Sequence, residues 1–243
     1  MPKEPETMDL KKLDNLHQEV DSLKVQGLMF AYEPEDEEHE KGFAVGPIDF
    51  EVKKGEALFI IGGNGSGKTT IAKLITGLYT GDKGSIKINN VEIDNTRIGE
   101  YFSTIYSNYH LFKKIYGVDI DGKEPEIQKY LKILNLEEKV QLNNGSFSTL
   151  DLSGGQRKRL ALMQCCLEDR PIYLFDEVAA DQDPEFRRFF YREMLTKMKQ
   201  KGKIVIAITH DDHYFDVADK IIKMDMGKIS SQDISDLCPG SQE

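Results

Sequence analysis

The feature that most constrains this chain is a glycine-rich loop with the sequence GGNGSGKT at positions 62–69, which fits the pattern G-x-x-x-x-G-K-[ST]. An apolar strand is predicted immediately before it, over 57–61, and a helix over 67–78. The glycines allow the backbone to curl until its N–H groups point inward at phosphate oxygens. The positive end of the following helix adds to this attraction. The alternative, an ordinary glycine-rich turn, does not explain the strand and the helix on either side.

Two side chains of the loop have predicted roles of their own. Lys68 would reach the β- and γ-phosphates of a nucleotide, and Thr69 would place its hydroxyl on Mg²⁺. The residues predicted to bind the nucleotide through this loop are Gly62, Asn64, Gly65, Ser66, Gly67, Lys68, Thr69 and Thr70.

A second partner for the metal ion is predicted at the end of a later apolar strand, over 172–175, which is followed by Asp176 and Glu177. Asp176 would hold Mg²⁺ through water. Glu177 would lie beside the γ-phosphate and orient the attacking water as a general base. Many strands end in acidic residues, so this pair predicts a metal site only because a phosphate-binding loop precedes it in the chain.

Composition excludes several classes of protein. The formal net charge of −10 argues against a nucleic-acid groove, which needs a basic stripe. No apolar run approaches the roughly 20 residues of a membrane-spanning helix, and no apolar leader opens the chain, so we expect a cytosolic protein. Cys165, Cys166 and Cys238 form neither a metal-ligand spacing nor a disulfide framework, and are interpreted as ordinary thiols.

The order of the predicted elements indicates an α/β fold. Apolar strands are predicted over 57–61, 172–175, 204–209 and 221–224, and helices over 67–78, 124–134, 154–167 and 184–199. Buried strands separated by helices predict a parallel sheet covered on both faces. Two alternating segments, 25–30 and 43–52, predict a β-rich edge near the N-terminus. We therefore predict a P-loop NTPase (RecA-like) parallel-sheet core with an N-terminal antiparallel β edge and an inserted helical subdomain.

The predicted domain organisation follows from these elements. Leucine and valine recur at helical spacing in residues 1–24, which predicts an N-terminal helix or linker, and the acidic run 33–41 is interpreted as a solvated loop. No core strand is evident from 103 to 164, so that stretch is predicted to be the helical lobe. The remaining predicted divisions are a nucleotide-binding domain over 25–230, whose core lobe comprises 25–102 and 165–230, and a tail over 231–243.

The class of protein is indicated by the pentapeptide Leu152-Ser153-Gly154-Gly155-Gln156, which resembles the signature of ABC ATPases. The resemblance implies that Ser153, Gly155 and Gln156 bind, in trans, the γ-phosphate of an ATP held by a partner subunit. A helix N-terminus is a natural anion site. An isolated Ser-Gly-Gly could instead be only a helix N-cap, but this one precedes an Asp-Glu strand end. The resemblance therefore implies ATP and Mg²⁺ as ligands, and a homodimer that encloses two Mg-ATP.

Three further positions match the family. Tyr32 matches the aromatic residue that stacks on adenine, although it could also be a core residue. Asp183 matches the acidic residue that contacts the partner subunit, and Pro184 then begins a helix. His210 matches the histidine that contacts the γ-phosphate, whereas a lone histidine at a strand end is more often structural. The catalytic residues implied by the resemblance are Lys68, Glu177 and His210.

One position departs from the family. A glutamine that binds Mg²⁺ and water is expected near the start of the helical lobe, and aligning Leu111-Phe112 with the family's Leu-Phe places Ser107 there. Serine is too short to span the same distance, so a bridging water or Asn108 is expected to substitute. The metal-binding residues implied by the resemblance are Thr69, Asp176 and Ser107, and the departure at Ser107 puts the metal geometry and the coupling step in question.

Local runs at 106–112, 156–162, 176–187 and 209–215 resemble the nucleotide-binding half of bacterial cyclic-peptide and siderophore-peptide exporters. This resemblance implies a transmembrane partner domain, fused or separate, and a location at the cytoplasmic face of the cell (inner) membrane. One alternative is a soluble ABC ATPase that acts on nucleic acid or ribosomes, which usually brings basic surfaces, coiled coils, zinc sites or a second ATPase. Another is a non-catalytic module that keeps ATP as a clamp, against which Glu177 and His210 argue.

Overall fold

The computed structural model describes residues 19–33 and 42–232. The strands in these ranges are β1 (Ser22–Ala31), β2 (Ala44–Lys53), β3 (Ala57–Gly62), β4 (Lys83–Ile88), β5 (Val91–Glu92), β6 (Phe102–Ile105), β7 (Leu142–Asn143), β8 (Ser146–Phe147), β9 (Ile172–Asp176), β10 (Ile204–Ile208), β11 (Lys220–Asp225) and β12 (Lys228–Ser231). The helices are α1 (Lys68–Ile75), α2 (Asn95–Ile98), α3 (Glu124–Ile133), α4 (Gly154–Glu168), α5 (Pro184–Arg188), a π-helix (Phe189–Leu195), α6 (Thr196–Gln200) and two 3₁₀ helices (Gly99–Tyr101 and Asp212–Val217). No helix among the described residues is long and apolar enough to cross a membrane.

The prediction of a helix over residues 1–24 was wrong for its last three residues, which begin β1. Leu23 is fully buried there and pairs with Val52 of β2. Leu23 and Val25 are two residues apart, so they also fit the alternation of a strand, and helical spacing alone could not separate the two patterns. Residues 19–21 are not helical either, and the rest of that predicted helix lies outside the described residues, as does most of the acidic run 33–41.

The centre of the fold is a sheet in which, among the described residues, six strands lie in the order β12-β11-β3-β10-β9-β6. The neighbours from β11 to β6 are parallel, and β12 pairs antiparallel with β11. Every residue of β9 and β10 is buried, because layers cover both faces of the sheet. The predicted parallel core is therefore confirmed, while β12, which lies at the edge of the sheet, was not predicted.

Side chains of β3 alternate between two apolar layers. Phe59 and Ile61 face the layer formed with α3, α4 and the π-helix, whereas Leu58 and Ile60 face the layer formed with α1 and the β1–β2 pair. Strands β1 and β2 belong to a second, antiparallel sheet, whose order in the described residues is β2-β1-β4-β5. This sheet is the predicted β-rich edge near the N-terminus.

The expectation that residues 103–164 contain no core strand was wrong, because β6 pairs in parallel with β9. The segment Phe-Ser-Thr-Ile has two polar residues in its middle, so it lacks the apolar run by which the other core strands were found. Ser103 is nevertheless fully buried. The strand matters for the candidate site because it places Ser107 beside the end of β9.

Candidate active site

Four of the predicted functional residues lie at the carboxyl ends of four neighbouring parallel strands. Gly62 ends β3, Asp176 ends β9, His210 lies just beyond β10, and Ser107 lies just beyond β6. Since β3, β10, β9 and β6 are adjacent in that order, these chain positions share one edge of the sheet. This is the edge at which open parallel sheets bind their ligands.

The glycine-rich loop needs glycine at its first and its last glycine position. Gly62 has φ 144°, and a Cβ there would lie 2.3 Å from the carbonyl oxygen of Met224. Gly67 has φ 101° and is the N-cap of α1, with Val45 Cγ2 3.0 Å from the position of a Cβ. Both conformations are in the left-handed region that favours glycine. The loop therefore packs tightly between β2 and β11 and begins α1 without a side-chain cap.

Lys68 folds back over the loop that precedes it. Its Nζ donates to the carbonyl oxygens of Gly62 at 2.8 Å and Gly63 at 2.9 Å, and the residue is only 6% exposed. Burial lowers the pKa of Lys68, and the nearby carboxylates of Glu177 and Asp176 oppose that shift. A buried cation with two carbonyl partners at the mouth of the loop can bind phosphate oxygens.

Asp176 is almost completely buried, and side chains from two other elements meet one of its carboxylate oxygens. Thr69 Oγ1 donates to Oδ2 at 3.2 Å, and Ser107 Oγ donates to the same atom at 3.0 Å. The backbone N–H of Ser107 lies 3.4 Å from it. Ser107 thus reaches Asp176 directly, whereas the expected bridge through water or Asn108 concerns a bound metal ion and stays a prediction.

The other oxygen of Asp176, Oδ1, is buried and has no hydrogen-bond partner among the described residues. A buried carboxylate oxygen without a partner, next to the hydroxyls of Thr69 and Ser107, fits a hard cation that prefers oxygen ligands. Within the described ranges, no group of three or more His, Cys, Asp or Glu side chains could hold a metal ion by itself. A Mg²⁺ here would therefore share one carboxylate and hydroxyl groups with nucleotide phosphates, as Mg²⁺ sites commonly do.

Glu177 and His210 form a pair directly beside this site. Glu177 has φ 55°, and its backbone N–H donates to the carbonyl oxygen of Ile208. A left-handed conformation of a non-glycine residue is uncommon and is often found at functional sites. The Oε1 atom of Glu177 lies 3.3 Å from Nε2 of His210, and both side chains are partly exposed. A carboxylate held this way can accept a proton from a bound water and keep the imidazole in place.

The signature residues begin α4 and do not contact the glycine-rich loop through any hydrogen bond among the described residues. Ser153 is the N-cap, its Oγ accepts from the N–H of Gln156, and Gln156 Oε1 accepts from the N–H of Ser153. The structural interpretation as a helix cap is therefore correct for these two residues. Ser153 is exposed, and its hydroxyl proton is not used in the cap, so Ser153 can still donate to an anion from outside.

Two cations in the first turns of α4 were not singled out from the sequence. Lys158 Nζ donates to the carbonyl oxygens of Glu177 and Ala180 at 3.2 Å each. Arg159 contacts both Gln182 and Asp183. They connect the signature helix to the loop after β9, and the available sequence signal was their position in the second turn of α4.

Asp183 and Tyr32 both have partners within the chain. Asp183 caps α5 by accepting from the N–H of Phe186 at 2.8 Å, and its carboxyl group remains partly exposed. The hydroxyl of Tyr32 lies 3.0 Å from Thr70 Oγ1, which places the ring beside the start of α1. Rings of Phe30, Phe43 and Tyr79 surround Tyr32. The aromatic surface next to the loop thus includes Tyr79, which sequence reasoning missed.

Comparison with known proteins identifies the family of this chain and the structures that share its fold. The family described as "ABC transporter" matches residues 45–180, more than half of the chain. The "ATP-binding protein SyrD" of Pseudomonas syringae pv. syringae is 44% identical over 237 residues. That alignment covers 94% of this chain but 41% of SyrD, so the chain spans less than half the length of this relative.

Two solved structures share the fold. A bacterial Atm1-family ABC exporter with ATP bound has a TM-score of 0.70 at 23% identity, over 90% of this chain and 40% of its own. The ATP-binding cassette MJ0796, in a dimeric post-hydrolysis state bound to ADP and Pi, has a TM-score of 0.72 at 21% identity. The match covers 87% of this chain and 97% of the MJ0796 chain. The two structures thus share the fold, while the family match and the similarity to SyrD mean that the chain belongs to the ABC transporter family.

Proposed function

We propose that this chain binds and hydrolyses Mg-ATP between two copies of itself and thereby powers an exporter. The observation that carries the proposal is the arrangement around Asp176: Thr69 and Ser107 converge on its carboxylate, while the Glu177–His210 pair lies beside it. Lys68 lies across the same edge of the sheet. These groups together can bind phosphates, a metal ion and an attacking water.

Each residue has one task in the proposed reaction. Lys68 leaves the carbonyl oxygens of its own loop for the β- and γ-phosphates, which supply stronger, charged acceptors. Asp176, Thr69 and Ser107 would hold Mg²⁺, which when bound neutralises charge on the phosphates. Glu177 orients the water and takes its proton, and His210 donates from Nε2 to the γ-phosphate or to Glu177.

The nucleotide site is completed by a second copy of the chain. Ser153 presents an unused hydroxyl proton at the exposed N-terminus of the long helix α4, and no hydrogen bond among the described residues joins it to Lys68. A head-to-tail pair would bring Ser153, Gly155 and Gln156 of one copy to the γ-phosphate held by the other, with Asp183 at the contact. ATP would then favour the closed pair, and hydrolysis would allow it to open.

Export is the proposed use of this cycle. The resemblance of the sequence to peptide exporters, and the similarity to SyrD and to an exporter structure, support a transmembrane partner domain at the cytoplasmic face of the inner membrane. A cyclic or siderophore-type peptide is the proposed substrate class. The net charge of −10 supports the proposal that nucleic acid is not a partner.

Complementation between two inactive variants tests the shared site. Lys68→Ala removes the phosphate ligand of a copy's own site, and Ser153→Arg blocks the site of the other copy. Each variant alone should be inactive as an ATPase. A mixed pair regains one intact site of two, so an equal mixture should recover up to about a quarter of the normal rate, since random pairing makes half of all dimers mixed.

The control is a mixture of two kinds of chain: one carries both Lys68→Ala and Ser153→Arg, and the other carries only Lys68→Ala. No pair in that mixture has an intact site, so it should stay inactive. Absence of recovery at every mixing ratio, with both single variants folded by circular dichroism, would contradict the proposed shared site. Activity of Ser153→Arg alone would contradict it as well.

A further inference from the structure

A cluster around Tyr191 encloses the segment that carries His210. Tyr191 belongs to the π-helix and is only 2% exposed. Its hydroxyl oxygen lies 2.6 Å from Thr209 Oγ1 and 3.0 Å from Asp211 Oδ2. Thr209 and Asp211 are the residues on either side of His210. A single buried hydroxyl therefore reaches both neighbours of the histidine that faces Glu177.

The donors and acceptors in this cluster can be assigned from chemistry. The carboxylate of Asp211 can only accept, so the single hydroxyl proton of Tyr191 goes to Asp211. Thr209 must then donate its own proton to Tyr191. Thr209 Oγ1 in turn accepts from the backbone N–H of Asp211 at 3.0 Å. The three residues thus close a ring of hydrogen bonds around the backbone of His210.

Two further observations strengthen the ring. Arg187 Nη1 lies 3.3 Å from the other carboxylate oxygen of Asp211, so both oxygens are held by the same helical segment. The ring of Tyr191 stacks on Tyr214, with centroids 4.4 Å apart. Burial is the main cause that raises the pKa of Tyr191 well above its usual range, so the hydroxyl keeps its proton at any ordinary assay pH.

We propose that Tyr191 is a positioning residue for His210, acting through Thr209 and Asp211, and that Arg187 supports it. The π-helix fits this role, since such wide turns occur frequently at functional sites. Asp183 caps the start of the same helical segment, so this segment joins the proposed dimer contact to the proposed catalytic histidine. The inference rests on the role of His210 in the proposed function.

The test compares Tyr191→Phe with Tyr214→Phe. The first variant keeps the stacked ring and loses only the hydroxyl of the network. The second loses a hydroxyl from the other ring of the stack, for which no hydrogen bond is seen among the described residues. Tyr191→Phe should lower kcat by about five- to tenfold, as expected for one buried hydrogen bond that aligns a catalytic group. Tyr214→Phe should keep the normal kcat.

Nucleotide binding supplies a readout that does not need turnover. Since His210 is proposed to contact the γ-phosphate, His210→Ala should reduce the preference for Mg-ATP over Mg-ADP, measured by calorimetry. Tyr191→Phe should reduce it in the same direction, and the double variant should be no worse than His210→Ala alone, because the two residues act through one contact. Thr209→Val should behave like Tyr191→Phe, and Thr209→Ser, which keeps the hydroxyl, should behave like the unaltered chain.

The outcomes separate this inference from the proposed function. A normal preference and kcat in His210→Ala would overturn the catalytic assignment of His210, and the inference with it. A clear defect in His210→Ala together with normal behaviour of Tyr191→Phe and Thr209→Val would overturn only the inference. Defects of Tyr191→Phe and His210→Ala that multiply in the double variant would also overturn it, since they would show independent action.

Discussion

Ser107→Ala removes a hydrogen bond whose contribution can be worked out from the structure. The hydroxyl of Ser107 donates to the buried carboxylate of Asp176 at 3.0 Å, while the N–H of Ser107 and the hydroxyl of Thr69 remain as weaker partners. A hydrogen bond to a charged group contributes roughly 1.5–3 kcal/mol. Ser107 is exposed, so water replaces part of this contact, and we expect the lower end, about 1.5 kcal/mol.

The assay is thermal unfolding without nucleotide and with EDTA, so that only contacts within the chain are measured. For a domain of this size about 1 kcal/mol corresponds to roughly 2–4 °C in Tm. Ser107→Ala should therefore lower Tm by about 3–6 °C. In the ATPase assay it should also raise the Mg²⁺ concentration needed for half-maximal rate, because the carboxylate loses a group that orients it.

Asn108→Ala is the matched control. Asn108 is the next residue, is exposed, and makes no hydrogen bond with any described residue. Its replacement should leave Tm unchanged. Equal Tm values of the two variants would refute the reasoning, because they would mean that the contact between Ser107 and Asp176 does not stabilise the apo chain.

Two further predictions concern the glycine-rich loop and the buried thiols. Gly62→Ala should lower the free energy of unfolding by about 2 kcal/mol or more, because Gly62 has a positive φ and a Cβ there would clash with the Met224 carbonyl. Gly63→Ala, which has open space around its Cβ, should change the free energy of unfolding by less than about 0.5 kcal/mol. Urea titrations measure both. Burial raises the pKa of both Cys165 and Cys166, so neither should be alkylated by iodoacetamide at pH 8 until the chain is unfolded, as read by peptide mass mapping; rapid labelling of the native chain would contradict this.

Much of the core was predictable because most of its strands consist almost entirely of apolar residues. The strand over 57–61 and the strands before Asp176 and His210 are continuous apolar runs, which is what burial on both faces requires. β6 was missed for the opposite reason: it carries two polar residues and is found only through its pairing with β9. Pairing between distant segments leaves no local periodicity in a strand as short as this one.

The candidate site divides in a similar way. The predictions for Asp176, Glu177 and His210 came from residue types at visible strand ends, and the prediction for Lys68 came from the glycine-rich loop before a helix. Two residues that contact this part of the chain were not predicted. Lys158 and Tyr191 act from helices that approach the site from elsewhere in the chain.

The contact between Ser107 and Asp176 could not be predicted from the sequence. The expectation that serine is too short to reach a metal ion in place of glutamine concerns a different distance and stays a prediction. Because β6 ends next to β9, both the hydroxyl and the N–H of Ser107 reach Asp176. The distance was decided by sheet topology, which the local sequence around Ser107 does not contain.

The central claim is that ATP joins two copies of this chain, and it is tested most directly by light scattering of Glu177→Gln after gel filtration. This variant keeps the nucleotide ligands but lacks the base, so bound ATP persists. With Mg-ATP the mass should rise from that of one chain, 27.7 kDa, to about twice that value, and adding Ser153→Arg should abolish the rise. A mass that stays at one chain while calorimetry shows ATP bound would contradict the claim.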